Sequence, residues 1–301
     1  MGLVQNEEAS ITTGFSIKDK LKDYGQLMKP NLSFMVVFSS VMGYLLASNT
    51  PFIWWNIILV FLGGLLVTNA ANIINQIIER ESDKFMKRTK TRPLPDARMQ
   101  TTEAWILCVI SATLGILILG LNFNWLAAIL SLISMLLYGF FYTPMKKIHS
   151  IAVFIGAIPG ALPPLIGWVA ATGSIDMGGI ILFLIQFFWQ FPHFWAIAWV
   201  GDEDYKKAGI RLLPSKKGKT PFTGLMCIFY SLPLIPLALL PEELGISGKI
   251  ATYTAIILAL LYILASFNFY RKNDRKSAKQ LMYASFIYLP VVLLVFLIDK
   301  I

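Results

Sequence analysis

Apolar residues fall in long blocks separated by short polar breaks, and this alternation dominates the chain. The blocks run roughly 31–49, 52–78, 102–121, 124–143, 149–170, 178–200, 221–240, 249–270 and 279–298. Each is near the length of about 20 residues that a helix needs to cross a bilayer. The pattern predicts an all-α polytopic membrane protein, a bundle of about nine transmembrane helices. Residues 1–29 read as a polar, solvated or surface-lying cytoplasmic tail, and 30–301 as a single transmembrane domain.

The breaks are of two kinds. Asn49-Thr50-Pro51, Asn122-Phe123-Asn124, Ala171 to Met177 and Pro241 to Lys249 are short and poor in Lys and Arg. The others are basic, with 24 of the 26 Lys and Arg falling in residues 1–30, 79–101, 144–148, 201–220 and 271–279. Cytoplasmic loops of membrane proteins carry such an excess, so the N-terminus is expected in the cytoplasm and the C-terminus outside. The net charge of +9 then needs no nucleic acid; a basic face on anionic lipid accounts for it.

Composition agrees with the pattern. Hydrophobic residues make up 56% and charged residues 14%, against about 25% charged in soluble domains. Cys108 and Cys227 stand singly in apolar runs and read as core residues. The N-terminal segment lacks an apolar signal-peptide core and the Arg-rich, acid-poor character of a transit peptide, which makes a bacterial plasma membrane the default location. Met1-Gly2 resembles a myristoylation start, but Asn6 stands where Ser or Thr is wanted. The fifth block carries Pro159, Pro163 and Pro164 beside Gly156, Gly160 and Gly167. Such a helix either packs closely on a neighbour or walls a cavity.

One segment breaks the apolar monotony with chemistry. Asn72, Asn75, Glu79 and Asp83 recur at steps of three and four at the end of the second block, which stacks them on one helical face. Ionisable groups at such a position are a functional-site hypothesis. Arg88 and Arg92 follow, and guanidiniums fork onto phosphate oxygens. A second acidic cluster, Asp202-Glu203-Asp204, follows the sixth block on the same expected membrane side, and Lys146, after the fourth block, lies on that side too as a further candidate for diphosphate binding. Carboxylates suit Mg²⁺, which is usually held by one or two of them plus substrate phosphate. The expectation is one cytoplasm-facing pocket for a metal-bound diphosphate, with Asn75, Glu79, Asp83, Glu203 and Asp204 as metal ligands. Asp202 and Lys206 taken alone fit an ordinary surface ion pair.

Four strings resemble the intramembrane aromatic prenyltransferases of the UbiA type, and within them the haem O synthase branch. They are Lys87-Arg88-Thr89-Lys90-Thr91-Arg92-Pro93-Leu94-Pro95, Gly156 to Trp168, Trp189-Gln190-Phe191-Pro192-His193-Phe194, and Asp204 to Pro214. The resemblance covers about residues 25 to 298. It implies a nine-helix bundle that joins the farnesyl group of farnesyl diphosphate to the vinyl group of haem B with Mg²⁺, giving haem O for haem A synthase or a terminal oxidase. Carried over, it makes Asn72, Asn75, Glu79, Asp83 and Asp204 catalytic, Arg88 and Arg92 diphosphate-binding, and His193, near the cytoplasmic end of its span, a candidate haem contact. The chain departs from the commonest bacterial pattern, which has Asp where Glu79 and Glu81 stand. Prenyl transfer to a quinone precursor or another aromatic ring, and a transporter with broken helices, are the competing readings.

Overall fold

The computed structural model describes residues 16–48 and 53–301. The 49–51 connection, the Met1-Gly2 start, Asn6 and the rest of residues 1–15 lie outside the described residues. Twelve α-helices follow in chain order: α1 Ile17–Met28, α2 Pro30–Ala47, α3 Trp54–Asp83, α4 Thr101–Asn122, α5 Trp125–Leu136, α6 Thr143–Ile148, α7 Ala152–Thr172, α8 Met177–Lys207, α9 Pro221–Ser231, α10 Leu234–Glu243, α11 Lys249–Lys272 and α12 Arg275–Ile298. A π-helical stretch, Leu137–Tyr142, joins α5 to α6. Among the described residues there is no strand, only an isolated bridge between Ser247 and Lys300. Eight helical spans are long and apolar enough to cross a membrane, or nine if α1 and α2, bent by 54°, count as one. The protein is a multi-pass membrane protein.

Local sequence sets the helix ends. Asn124, Asp176 and Asp274 cap α5, α8 and α12, their side chains accepting from Ala127, Gly178 and Ser277 backbone N–H groups. Gly173 and Asn273 end α7 and α11 in the left-handed region, which satisfies the last carbonyls. Two spans are broken where the sequence predicts plain helices. The fourth passes through the π-helical stretch, and the seventh breaks at Leu232-Pro233 into α9 and α10.

Helix α7 is the centre of the bundle: 78% of its apolar stretch is buried, against 33–50% for the other spans. Its prolines lie inside a continuous helix. Pro163 and Pro164 remove the N–H groups that would bond the carbonyls of Pro159 and Gly160. Neighbouring helices replace both: Ser134 Oγ donates to Pro159 O at 3.1 Å, and Gln186 Nε2 to Gly160 O at 2.7 Å. Gln190 Nε2 adds a bond to Ala157 O at 2.7 Å. The small residues serve contact as well. A Cβ on Gly167 would strike the backbone carbonyl of Ser40, and one on Gly43 that of Pro164, so α2 and α7 touch backbone to backbone.

The segment expected as a solvated lead-in is helical from Ile17 and is tied down. Asp23 and Leu27 are buried. Arg98 bonds Asp23 Oδ1, Lys20 pairs with Glu103 at 2.9 Å, and Gln76 Nε2 donates to Leu27 O. At the other end of the bundle, Lys300 Nζ donates to Leu45 O and Ser48 O, closing the C-terminal end of α2.

Candidate active site

The last two turns of α3 carry the polar face. Asn75, Glu79 and Asp83 lie one turn apart and are all buried, Asp83 completely. Burial of such groups in an apolar bundle is costly unless they are paired. Asn75 Nδ2 donates to Glu79 Oε2 at 2.9 Å and to Thr143 Oγ1 at 3.1 Å, while its Oδ1 accepts from Lys29 Nζ at 2.9 Å. Thr143 spends its own proton on Tyr138 O at 2.8 Å, across the π-helical stretch, so it is held as an acceptor for Asn75. Lys146 Nζ lies 2.7 Å from Glu79 Oε1. Arg92 donates to Asp83 Oδ2 at 2.7 Å. Three cations, from the α1–α2 junction, α6 and the segment after α3, thus converge on one amide and two carboxylates.

The remaining expected residues fall elsewhere. Asn72 bonds Ser33 Oγ at 3.1 Å and Met28 O at 3.4 Å, which fixes α3 against the start of α2. Arg88 and Glu203 are exposed. Asp202 pairs with Lys206 at 2.8 Å and lines a separate cavity of about 540 Å³ beneath residues 210–218. Asp204 lies eleven residues, three turns, beyond His193 on the same face of α8, with Lys207 at 3.9 Å. The segments that follow α3 and α8 do meet, Met86 packing with Ala208 and Ile210, and Arg211 N donates to Lys146 O of α6 at 2.8 Å. Among the described residues no three His, Cys, Asp or Glu side chains lie close enough to hold a metal. The expected five-ligand set is therefore not preassembled, because each buried acid has drawn a nearby cation instead.

The α3 site nonetheless fits a hard divalent cation. Asp83 Oδ1 is buried and has no hydrogen-bond partner, a carboxylate oxygen with its lone pairs free. Glu79 and Asn75 supply the oxygen donors that such an ion prefers.

Beside this site opens an apolar cavity of about 410 Å³. Asn72, Tyr138, Tyr142, Gly160, Gln186 and His193 are among its walls, and Leu32, Met35, Phe286 and Pro290 form its apolar side. The prolines and glycines of α7 therefore serve both functions the sequence left open, close packing and a cavity wall. His193 lies seven residues before the end of the apolar block at 200, and α8 continues as helix for another seven, to Lys207. Its ring stacks on Trp189 with centroids 4.9 Å apart. Its Nδ1 is 2.7 Å from Ser285 Oγ, whose single proton goes to Met282 O at 2.5 Å. The bond must then run from Nδ1–H to Ser285, which leaves the Nε2 lone pair free.

Lys29, Gln76 and Thr143 carry much of this arrangement and did not stand out in the sequence. Lys29-Pro30 at the start of a span was the only available signal; Gln76 and Thr143 have none without the fold.

An amide–carboxylate face beside an apolar intramembrane cavity suits a prenyltransferase of the bilayer, and the chain belongs to the UbiA prenyltransferase family, whose model matches residues 36–289. Among particular proteins it is similar to the protoheme IX farnesyltransferase of Cytophaga hutchinsonii, 49% identical over 92% of this chain and 97% of that one. The Flavobacterium johnsoniae protein of the same name is 40% identical over 95% and 96%. Of solved structures, that of a digeranylgeranylglyceryl phosphate synthase has a TM-score of 0.78 at 27% identity, covering 93% of this chain and 98% of its own. A UbiA homologue from Archaeoglobus fulgidus, bound to GPP and Mg²⁺, has a TM-score of 0.65 at 16% identity, covering 91% and 99%; it shares the fold. The transporter reading ends here.

Proposed function

We propose that this protein joins the farnesyl group of farnesyl diphosphate to a vinyl group of haem B, releasing diphosphate and yielding haem O. The observation that carries the reading is the buried Asn75–Glu79–Asp83 face, ringed by Lys29, Lys146 and Arg92, beside an apolar cavity that holds a histidine with a free Nε2. The protoheme IX farnesyltransferase name of the relatives supplies the acceptor.

In this reading Arg92, Lys146 and Lys29 bind the diphosphate oxygens, and Arg88 draws the anion in from the surface. Asn75, Glu79 and Asp83 would hold Mg²⁺, with Asp204 and Glu203 entering from the α8 side. The ion supplies neutralisation of the charge that builds on diphosphate as the allylic carbon–oxygen bond breaks. The apolar cavity seats the farnesyl chain and excludes water from the allylic cation until the vinyl carbon attacks. Water then captures the cation beside the porphyrin and leaves the hydroxyl of haem O. His193, oriented by Ser285 and Trp189, offers Nε2 to the haem iron. A histidine that ligates a metal generally gives its other N–H to such a partner.

The excess of Lys and Arg in alternate loops supports a reading with the N-terminus and the active site on the cytoplasmic side of a bacterial plasma membrane, one transmembrane domain over 30–301, and haem A synthase or an oxidase assembly as recipient. Purified protein incubated with haem B, farnesyl diphosphate and Mg²⁺ should yield haem O, identified by mass. Absence of haem O together with prenylation of a phenolic acceptor would replace haem by a quinone-type ring as substrate.

A further inference from the structure

Glu79 and Asp83 are buried carboxylates, and leaving such charges unpaired costs several kcal/mol each. Here a lysine and an arginine neutralise them: Lys146 at 2.7 Å from Glu79 and Arg92 at 2.7 Å from Asp83. Lys29 donates to the neutral amide oxygen of Asn75, at 2.9 Å. Lys29 is held there at a cost. It ends α1 and precedes Pro30, and its backbone is left-handed at φ 50. That conformation is unfavourable for a residue with a Cβ. A glycine would serve the turn better, so the ammonium is what the position supplies.

We propose that Lys29, Lys146 and Arg92 are stand-ins for metal charge: they occupy the oxygen ligands of α3 until metal and diphosphate arrive together, then transfer to the diphosphate. This rests on the reading of the α3 face as a metal–diphosphate site. Charge balance demands the exchange. Lys146 and Arg92 balance the two carboxylates, and Lys29 lies beside them on the uncharged oxygen of Asn75. A divalent cation alone must displace an ammonium or guanidinium that then has no anion to turn to. A diphosphate alone meets the two carboxylates of Glu79 and Asp83. When both enter, the carboxylates pass to the metal, the three side-chain cations pass to phosphate oxygens, and the pocket approaches neutrality. Asp83 Oδ1, buried and without a partner, is the oxygen already open to the metal. No bond to carbon is made or broken in the exchange; only ion pairs change partners.

The consequence is reciprocal binding: metal and diphosphate each tighten the other, by the same factor. The test is binding, not turnover. Mn²⁺ affinity, read by electron paramagnetic resonance on purified protein, should improve about tenfold or more when inorganic diphosphate is added. Lys146→Gln should bind Mn²⁺ tighter than wild type in the absence of diphosphate, and Lys29→Gln should shift the same way by less. In both, the gain on adding diphosphate should shrink. Thermal unfolding verifies that each variant is folded, and two variants on different helices guard against loss of one. Equal Mn²⁺ affinity with and without diphosphate in the wild type overturns the proposal. So does weaker Mn²⁺ binding in both folded variants, while tight diphosphate binding would still support the site. Failure of the wild type to bind either probe removes the metal–diphosphate reading as well.

Discussion

Lys146 Nζ stands 2.7 Å from Glu79 Oε1, with both side chains buried and joined from helices α6 and α3. The pair lies within a chain of contacts that runs from Lys29 through Asn75 to Glu79. Glu79→Gln keeps the size and the bond to Asn75 but removes the charge. Haem O formation should fall at least about a hundredfold, as for loss of one preorganised electrostatic group. Lys146 then lacks its anion, so a modest loss of thermal stability should accompany it. Steady-state kinetics with a melting curve in detergent checks both.

Asp83→Asn acts at a residue with no exposed surface and an unpartnered oxygen. It should abolish turnover while the protein remains inserted and folded. Near-normal product from this variant and from Glu79→Gln would remove α3 from the metal site.

Arg92→Lys keeps a positive charge on the segment after α3. An ammonium cannot fork onto two phosphate oxygens, and the shorter reach also weakens the contact to Asp83. The expected result is a rise in KM for farnesyl diphosphate of about tenfold, larger than any change in KM for haem.

His193→Ala should separate the two substrates. His193 lines the apolar cavity and its ring bonds Ser285 rather than Lys29, Lys146 or Arg92, so haem binding measured by absorbance should weaken while diphosphate binding is retained. Ser285→Ala should reproduce part of the effect, because the ring loses the partner that fixes its tautomer. Unchanged haem spectra in His193→Ala would exclude the histidine as an iron ligand.

Gly167→Ala probes the centre of the bundle. The added methyl would meet the Ser40 carbonyl, a backbone atom that cannot rotate away. The expected cost is about 3 kcal/mol or more, read as loss of folded protein at low denaturant. Gln190→Leu, which leaves Ala157 O with only its helical bond, should cost less, about 1 kcal/mol.

The sequence by itself determined the class of the molecule. Blocks near bilayer length cannot fold otherwise, because backbone polar groups in lipid must be satisfied within the segment. It also determined that Asn75, Glu79 and Asp83 share a face, since their spacing is that of the helix, and the four strings pointed to the family. What the linear pattern could not carry was which groups meet across elements. Lys29 reaches Asn75 only because α1 and α2 bend at Pro30. Thr143 and Lys146 reach α3 only through the π-helical stretch that turns the end of the fourth span. That His193 meets Ser285 followed from the packing of α8 against α12. Charge complementarity decided the rest: buried carboxylates take the nearest available cation, and only the tertiary structure determines which cation is near.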